Sequence, residues 1–397
     1  MSEYAIPDHV PADLVVDADI FALPGAETDP QRAWKALDRG RGLVWTPHHG
    51  GHWIATSADL LWRIYPDIEN FSAKEISVPT GNNLYPMIPN QSDEPEHHHY
   101  RRTIMPFLLP GAVRDLQASV RSLAVELIAE IRDRGSCEFV GEFARHLPMR
   151  IFLSLVGLPD EDRPWLLERT EIQVRSGDAD ARQNAQRDMI GYLQGWIDRR
   201  REAPGKDMLS AIVHGTVGDR PMTDAEIMGE ALDVMFGGLD TVASMMGFVM
   251  RYLAGNPDQY RLLREQPAKI ALAVEEMFRR FGPAAPGRQV AQDITFNGIT
   301  MKVGDMIMLP TCLHSLDETH WQDPDRIDFD RKRATHCTFG NGVHTCPGAG
   351  LARSEVAIMI EEWTKAIPQV RLDPDRKPVA ASGMVNGMLE LHLVWDN

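Results

Sequence analysis

The stretch Phe339-Gly340-Asn341-Gly342-Val343-His344-Thr345-Cys346-Pro347-Gly348 sets one cysteine among three glycines and a proline. Glycine accepts φ > 0 and close backbone approach, so this loop can fold tightly under a flat group. A helical pattern begins at Leu351 and would aim free N–H groups and a positive end back at the sulfur. Both features favour the thiolate, the form of cysteine that binds metal. Taken alone, the cysteine suits a buried structural turn better. The full spacing, Phe-x-x-Gly-x-x-x-Cys-x-Gly, reverses that preference.

Three further groups have residue types suited to chemistry. Gly237-Gly238-Leu239-Asp240-Thr241 lies inside a long helical pattern. Interior helix glycines cost about 1 kcal/mol each relative to alanine, and they bare the backbone so that something large can lie against it. Asp240 and Thr241 add an acid and a hydroxyl at the same place, a proton-handling pair or a satisfied polar notch. Glu276 and Arg279, at i and i+3, share a helix face, a pairing that is usually plain surface charge. His97 and Arg101, at i and i+4, offer two donors to an anionic group such as a carboxylate. A solvated basic patch is the alternative, and metal binding by His97-His98-His99 a weaker one.

These groups need elements to hold them. Leu43–Thr46 and His52–Thr56 read as short strands joined at His48-His49-Gly50-Gly51. His48, His49 and His52 suit a solvated turn better than a metal site. Ser57–Pro66 reads as a short helix, and Phe71–Ser92 as a long irregular loop of the kind that binds or covers ligands. Helical periodicity dominates from His97 to Arg201, with breaks near Pro110, Gly135, Gly157 and Ser176-Gly177-Asp178. Thr223–Asn256 reads as one long helix that opens on a Thr-x-x-Glu capping box. A further helix is expected over Pro267–Arg280, a hairpin about Asn297-Gly298, a strand at Met306–Leu309, a helix at Leu351–Ile367 and a closing strand at Leu389–Trp395. The expectation is one domain over residues 1–397, mainly α with a small β portion near 43–56, 289–310 and 380–396.

Composition narrows the partners. The chain has 397 residues, 43% hydrophobic and 25% charged, as expected of a globular protein with a large core. A net charge of −16 disfavours nucleic acid, whose phosphates need clustered Lys and Arg. Four cysteines without paired spacing disfavour a disulfide framework and point to a reducing cytoplasm. The opening residues have neither a basic nor an apolar signal region, and the most apolar stretch, near Val234–Leu253, is interrupted by Asp240 and Arg251. No membrane partner is expected.

Taken together and in order, these groups resemble the cytochrome P450 family of haem-thiolate monooxygenases. Leu43–Thr46, Gly50–Thr56, Gly237–Val242 and Leu393–Asp396 are most similar to the bacterial camphor-hydroxylase branch. The resemblance implies haem b as cofactor, with Cys346 as axial thiolate and metal ligand, and with Phe339, Gly340 and Gly348 shaping the loop. It implies that His97, Arg101, Arg288 and His344 hold the haem propionates, and that Gly237 lies against the cofactor. Asp240 and Thr241 would supply protons as dioxygen is reduced; Glu276 and Arg279 would be a buried structural pair. Tyr85 matches a tyrosine that hydrogen-bonds the substrate ketone, and Asp233, Phe236, Ala284, Met384 and Val385 match other pocket positions. The camphor enzymes are apolar where this chain has Asp233.

The implied reaction is hydroxylation of a compact, mostly apolar terpenoid-like substrate. A ferredoxin with its reductase would be the electron donor, steered by a basic patch of Arg101, Arg102, Arg331, Lys332, Arg333 and His336. A peroxide-driven peroxygenase and a non-enzymatic haem sensor on the same fold are the competing readings. A zinc or nucleophilic role for Cys346 is the weakest, because no second Cys or His stands at ligand spacing.

Overall fold

The computed structural model describes residues 5–396 apart from Asn82, residues 176–178 and residues 333–334. The expected break at Ser176-Gly177-Asp178, and Arg333 of the basic patch, lie outside the described residues. The described chain is mainly α-helical with small sheets, as expected.

The largest sheet has five strands. Leu43–Thr46 pairs antiparallel with His52–Ala55, and Met306–Met308 runs parallel to the latter. Gly287–Val290 follows antiparallel, and Phe71–Ser72, the first residues of the expected loop, forms the edge. The Asn297-Gly298 hairpin forms with φ of 48° and 77°, the positive values a tight two-residue turn needs. The expected closing strand is two strands, Gly387–Glu390 and His392–Val394, in different sheets. Ser57 caps the Ala58–Ile64 helix, its side chain accepting from Leu60 N–H.

Three apolar clusters make up the interior. One surrounds Trp363 and the Pro110–Arg132, Thr241–Gly255 and Ala349–Ala366 helices. A second joins the N-terminal segment to the five-stranded sheet about Trp34 and Trp53. The third packs the Ala179–Glu202 and Asp224–Leu239 helices against the long loop at Ile88.

The long central helix is not continuous. It forms as Asp224–Leu239 and Thr241–Gly255, interrupted at Asp240. The Thr241 hydroxyl donates to Gly237 C=O at 3.2 Å, a back-bond to the i−4 carbonyl that bends helices. Two adjacent glycines make that bend cheap. The capping box is present: Thr223 Oγ1 accepts from Glu226 N–H, and Glu226 accepts from Thr223 N–H. Asp224–Gly255 is long and apolar enough to cross a membrane by length and composition, against the sequence expectation. Of that apolar window, 65% is buried inside the molecule, as for a core helix.

Glu276 and Arg279 are a buried pair, not surface charge. Arg279 Nε and Nη2 donate to the two Glu276 oxygens at 2.8 and 2.9 Å. Arg279 also reaches Ser315, Pro324 and Arg326 carbonyls, while Glu276 accepts from Asp328 N–H and Arg331. The pair therefore ties together a segment with little secondary structure of its own.

Two buried imidazoles predict the acid limb of stability. Burial depresses both His52 and His314 to about 4. As pH falls below the ordinary histidine value of about 6.5, the unfolded chain takes up protons that the folded chain refuses. Stability is thus lost from about 6.5 downward, by up to about 3 kcal/mol per histidine at pH 4. The urea midpoint should fall over this range, and a His52→Leu, His314→Leu double variant should flatten the slope; an unchanged slope refutes the assignment.

Candidate functional site

The cysteine loop is built by local chemistry. Gly340 and Gly342 adopt φ of 75° and 78°, open to glycine without strain. At Gly342 a Cβ would stand 2.8 Å from Pro66 Cα, so packing also requires glycine there. Asn341 and Thr345 side chains bond the backbone of Gly342, and Cys346 N–H donates to Phe339 C=O at 2.8 Å. Phe339 packs on Phe278 with ring centroids 4.9 Å apart, and the Arg353 guanidinium covers it at 4.3 Å. The loop is therefore pinned between the Ile270–Phe281 and Ala349–Ala366 helices.

Cys346 has accessible surface although protein encloses its sulfur, so it lines an internal space. Burial pushes the thiol up; the Gly348 N–H and the charges of Arg101 and Arg353 act the other way.

Cationic groups distant in sequence gather beside it. The His97 and His344 rings lie 4.1 Å apart, and Arg101 Nε donates to His97 Nε2 at 3.2 Å. Arg288, on the strand Gly287–Val290, is buried and bonds Gly287 C=O. Burial first, and then the charges of neighbouring Arg101 and Arg288, lowers the pKa values of His97 and His344, the latter to about 2. Arg101 and Arg288 are lowered by burial. Arg101 Nη2 and both His344 ring nitrogens are buried without a hydrogen-bond partner among the described residues. Among the described residues, only His97 of these four has a carboxylate, Glu94, within 3.4 Å. Orphaned donors in a cationic cluster fit an anionic ligand.

The broken central helix forms the opposite wall. Gly237 is exposed although its helix is mostly buried, and a Cβ there would meet nothing within 4 Å. Gly238 serves a different need: its Cβ would come 2.6 Å from Phe152. The two expected glycines thus face different neighbours. Asp240 is buried, and Thr241 is half-buried with its hydroxyl turned to Gly237 C=O.

Asp233, 8% exposed, accepts from Asn90 Nδ2 at 2.9 Å. Its charge is felt at both Arg101 and Cys346, and it stands one helical turn before the open face at Gly237. Burial holds its carboxyl up at about 7. Tyr85 and Phe236 pack at the edge of the third apolar cluster. Ala284 and Val385 form a β-bridge, and Ala285 N–H bonds Met384 C=O, so three expected wall positions meet.

Asn90 and Glu230 were not anticipated. Glu230 is fully buried, bonded to Thr103, and raised to about 8 by burial. The signal lay in the spacing: Glu226, Glu230 and Asp233 fall on one face of an otherwise apolar helix.

The expected basic patch needs correction. Arg101 is buried in the cationic cluster, Arg331 is bound to Glu276 and backbone carbonyls, and His336 pairs with Glu275. Arg102 and Lys332 are exposed. His48 and His49 pair with Asp17 and Asp19, and no group of three or more metal-ligating side chains occurs among the described residues.

Known proteins resemble this chain in sequence and fold. The family profile described as Cytochrome P450 matches residues 173–363. A protein of Sinorhizobium fredii described as "Probable cytochrome P450 127A1" is 32% identical over 401 residues, covering 98% of this chain and 97% of its own. The crystal structure of cytochrome P450 CYP101C1 superposes with a TM-score of 0.91 at 40% identity, covering 99% of this chain and 100% of that one. The crystal structure of CYP101J2 has a TM-score of 0.91 at 37% identity, with the same coverage.

Proposed function

The chain belongs to the cytochrome P450 family, and from that premise we propose that it hydroxylates a compact, mostly apolar terpenoid-like substrate. A camphor-like molecule or a larger cyclic terpenoid ketone fits the reading. As a family member it is a haem-thiolate monooxygenase, an oxidoreductase that uses dioxygen and electrons from a redox partner. In the proposal that partner is a ferredoxin with its reductase, and the setting is the cytoplasm.

The observation that carries the assignment of residues is the enclosed sulfur of Cys346 beside buried, unpartnered cationic donors. Cys346 would hold the iron from its glycine loop, with Phe339, Gly340 and Gly348 shaping that loop. His97, Arg101, Arg288 and His344 would bond the two propionates. Gly237 would leave room for the ring. The bound haem supplies dioxygen activation and C–H oxidation. Asp240 would pass a proton inward, and Thr241, anchored on Gly237 C=O, would hold it beside the reacting oxygen. Tyr85 would donate to a substrate ketone, with Phe236, Ala284, Met384 and Val385 as apolar walls and Asp233 as a polar exception.

Two measurements test the reading. The reduced protein with carbon monoxide should show the thiolate-ligated spectrum. Camphor and larger cyclic terpenoid ketones should shift the haem spin state, whereas a response only to fatty acids would sink the substrate class.

The propionate assignment makes its own prediction. A charge-assisted hydrogen bond contributes about 1.5–3 kcal/mol, or about tenfold to a hundredfold. Arg288→Gln and Arg101→Gln should each speed haem transfer to an apoglobin scavenger by about that factor. Unchanged transfer would remove that arginine from the site.

A further inference from the structure

The loop between the sheet edge and the first helix of the site is seated rigidly on the Asp224–Leu239 helix. At Gly229 a Cβ would fall 2.3 Å from Pro86 O and 3.0 Å from Ile88 Cγ1, so loop backbone rests directly on the helix. Gln91 Oε1 accepts from Met87 N–H and Asn83 Nδ2 at 2.8 and 3.0 Å, and Ser92 Oγ donates to Pro89 C=O. Asn90 is therefore presented by a fixed backbone. Its amide donates to Asp233 Oδ1 at 2.9 Å.

Fastening the helix to its neighbours does not require this pair. Glu226 bonds Tyr100 OH and Glu230 bonds Thr103, two turns and one turn earlier respectively. Asp233 is the acid of that row whose charge reaches Arg101 and Cys346, one turn before the open face at Gly237.

We propose that Asp233 and Asn90 form a polar clamp in the pocket wall that selects a substrate hydroxyl, additional to the oxygen function addressed by Tyr85. The substrate class is then a cyclic terpenoid keto-alcohol or diol, not a monoketone. This rests on the terpenoid reading above and sharpens it. A hydroxyl both donates and accepts, so it satisfies Asp233 whether its carboxyl is ionised or protonated. A ketone oxygen satisfies only the protonated form. An ammonium group would have to approach a carboxyl that already lies in the field of the Arg101 guanidinium, which repels it.

The test is a spin-state titration of the haem-loaded enzyme with three ligands of one ring skeleton: the monoketone, its keto-alcohol and its amino-ketone. The wild type should bind the keto-alcohol about tenfold tighter than the monoketone. Asp233→Leu should erase that ratio and Asp233→Asn should keep part of it, each with an intact reduced carbon monoxide spectrum. Gly229→Ala, which displaces the loop without touching either polar group, should also reduce the ratio. Equal affinity of the wild type for ketone and keto-alcohol overturns the clamp alone, as does an unchanged ratio in Asp233→Leu or a preference for the amine. Absence of a spin-state response to all three overturns the terpenoid reading and the clamp with it.

Discussion

Cys346→Ser should abolish substrate hydroxylation and remove the thiolate signature from the reduced carbon monoxide spectrum, while the chain still folds. The reasoning starts from the apoprotein. Burial pushes the Cys346 thiol up, and the Gly348 N–H with Arg101 and Arg353 offsets this only in part. The raised thiol pKa makes the thiolate scarcer in the apoprotein; bound iron would favour it, and a thiolate ligand in turn favours O–O cleavage. Loss of groups that merely orient a metal ligand costs about 10–100-fold, so loss of the ligand itself should exceed that range. The loop should survive, because its geometry rests on the glycines at 340 and 342, the Asn341 and Thr345 bonds and the Phe339 contacts. Far-ultraviolet circular dichroism and urea midpoints close to wild type would establish this. A Cys346→Ser protein that retains the thiolate spectrum would remove Cys346 from the metal.

Asp240→Asn should lower turnover by about 10²–10⁴-fold, the range for loss of a positioned acid–base group. Thr241→Ala should act differently: oxygen and reductant are still consumed, but product falls and peroxide or excess water accumulates. The difference follows from where the groups sit. Asp240 occupies the break between the two helical segments, where a buried acid can serve as a relay. Thr241 Oγ1 is fixed by Gly237 C=O at the open face, where it can hold a proton without supplying one. Product per oxygen consumed, measured beside the rate, separates the two roles. Full coupling in Thr241→Ala would put the peroxide-driven reading ahead of the dioxygen-driven one.

Much of this site was legible before any coordinates. The Cys346 loop, the Asn297-Gly298 turn, the Ser57 cap and the Thr223–Glu226 box follow from short-range rules, in which a residue's neighbours within a turn decide its conformation. Helix positions followed from periodicity for the same reason. The residues that match the family by type and spacing could therefore be named, Cys346, Asp240 and Thr241 among them.

Burial and partnership were decided elsewhere. Glu276 and Arg279 have the spacing of an ordinary surface pair, and only the carbonyls of Ser315, Pro324 and Arg326 bury them. Arg331 and His336 look like docking charges until Glu276 and Glu275, some sixty residues earlier in the chain, claim them. His97 and His344 touch across most of the sequence, and Arg288 reaches them from a sheet strand. The clamp at Asn90 and Asp233 joins a loop to a helix that no local pattern relates. Desolvation and Coulomb interaction depend on which distant segments pack together. For that reason the chemistry of the metal loop could be read residue by residue, while the charge state of its surroundings and the polarity of the pocket belong to the folded chain.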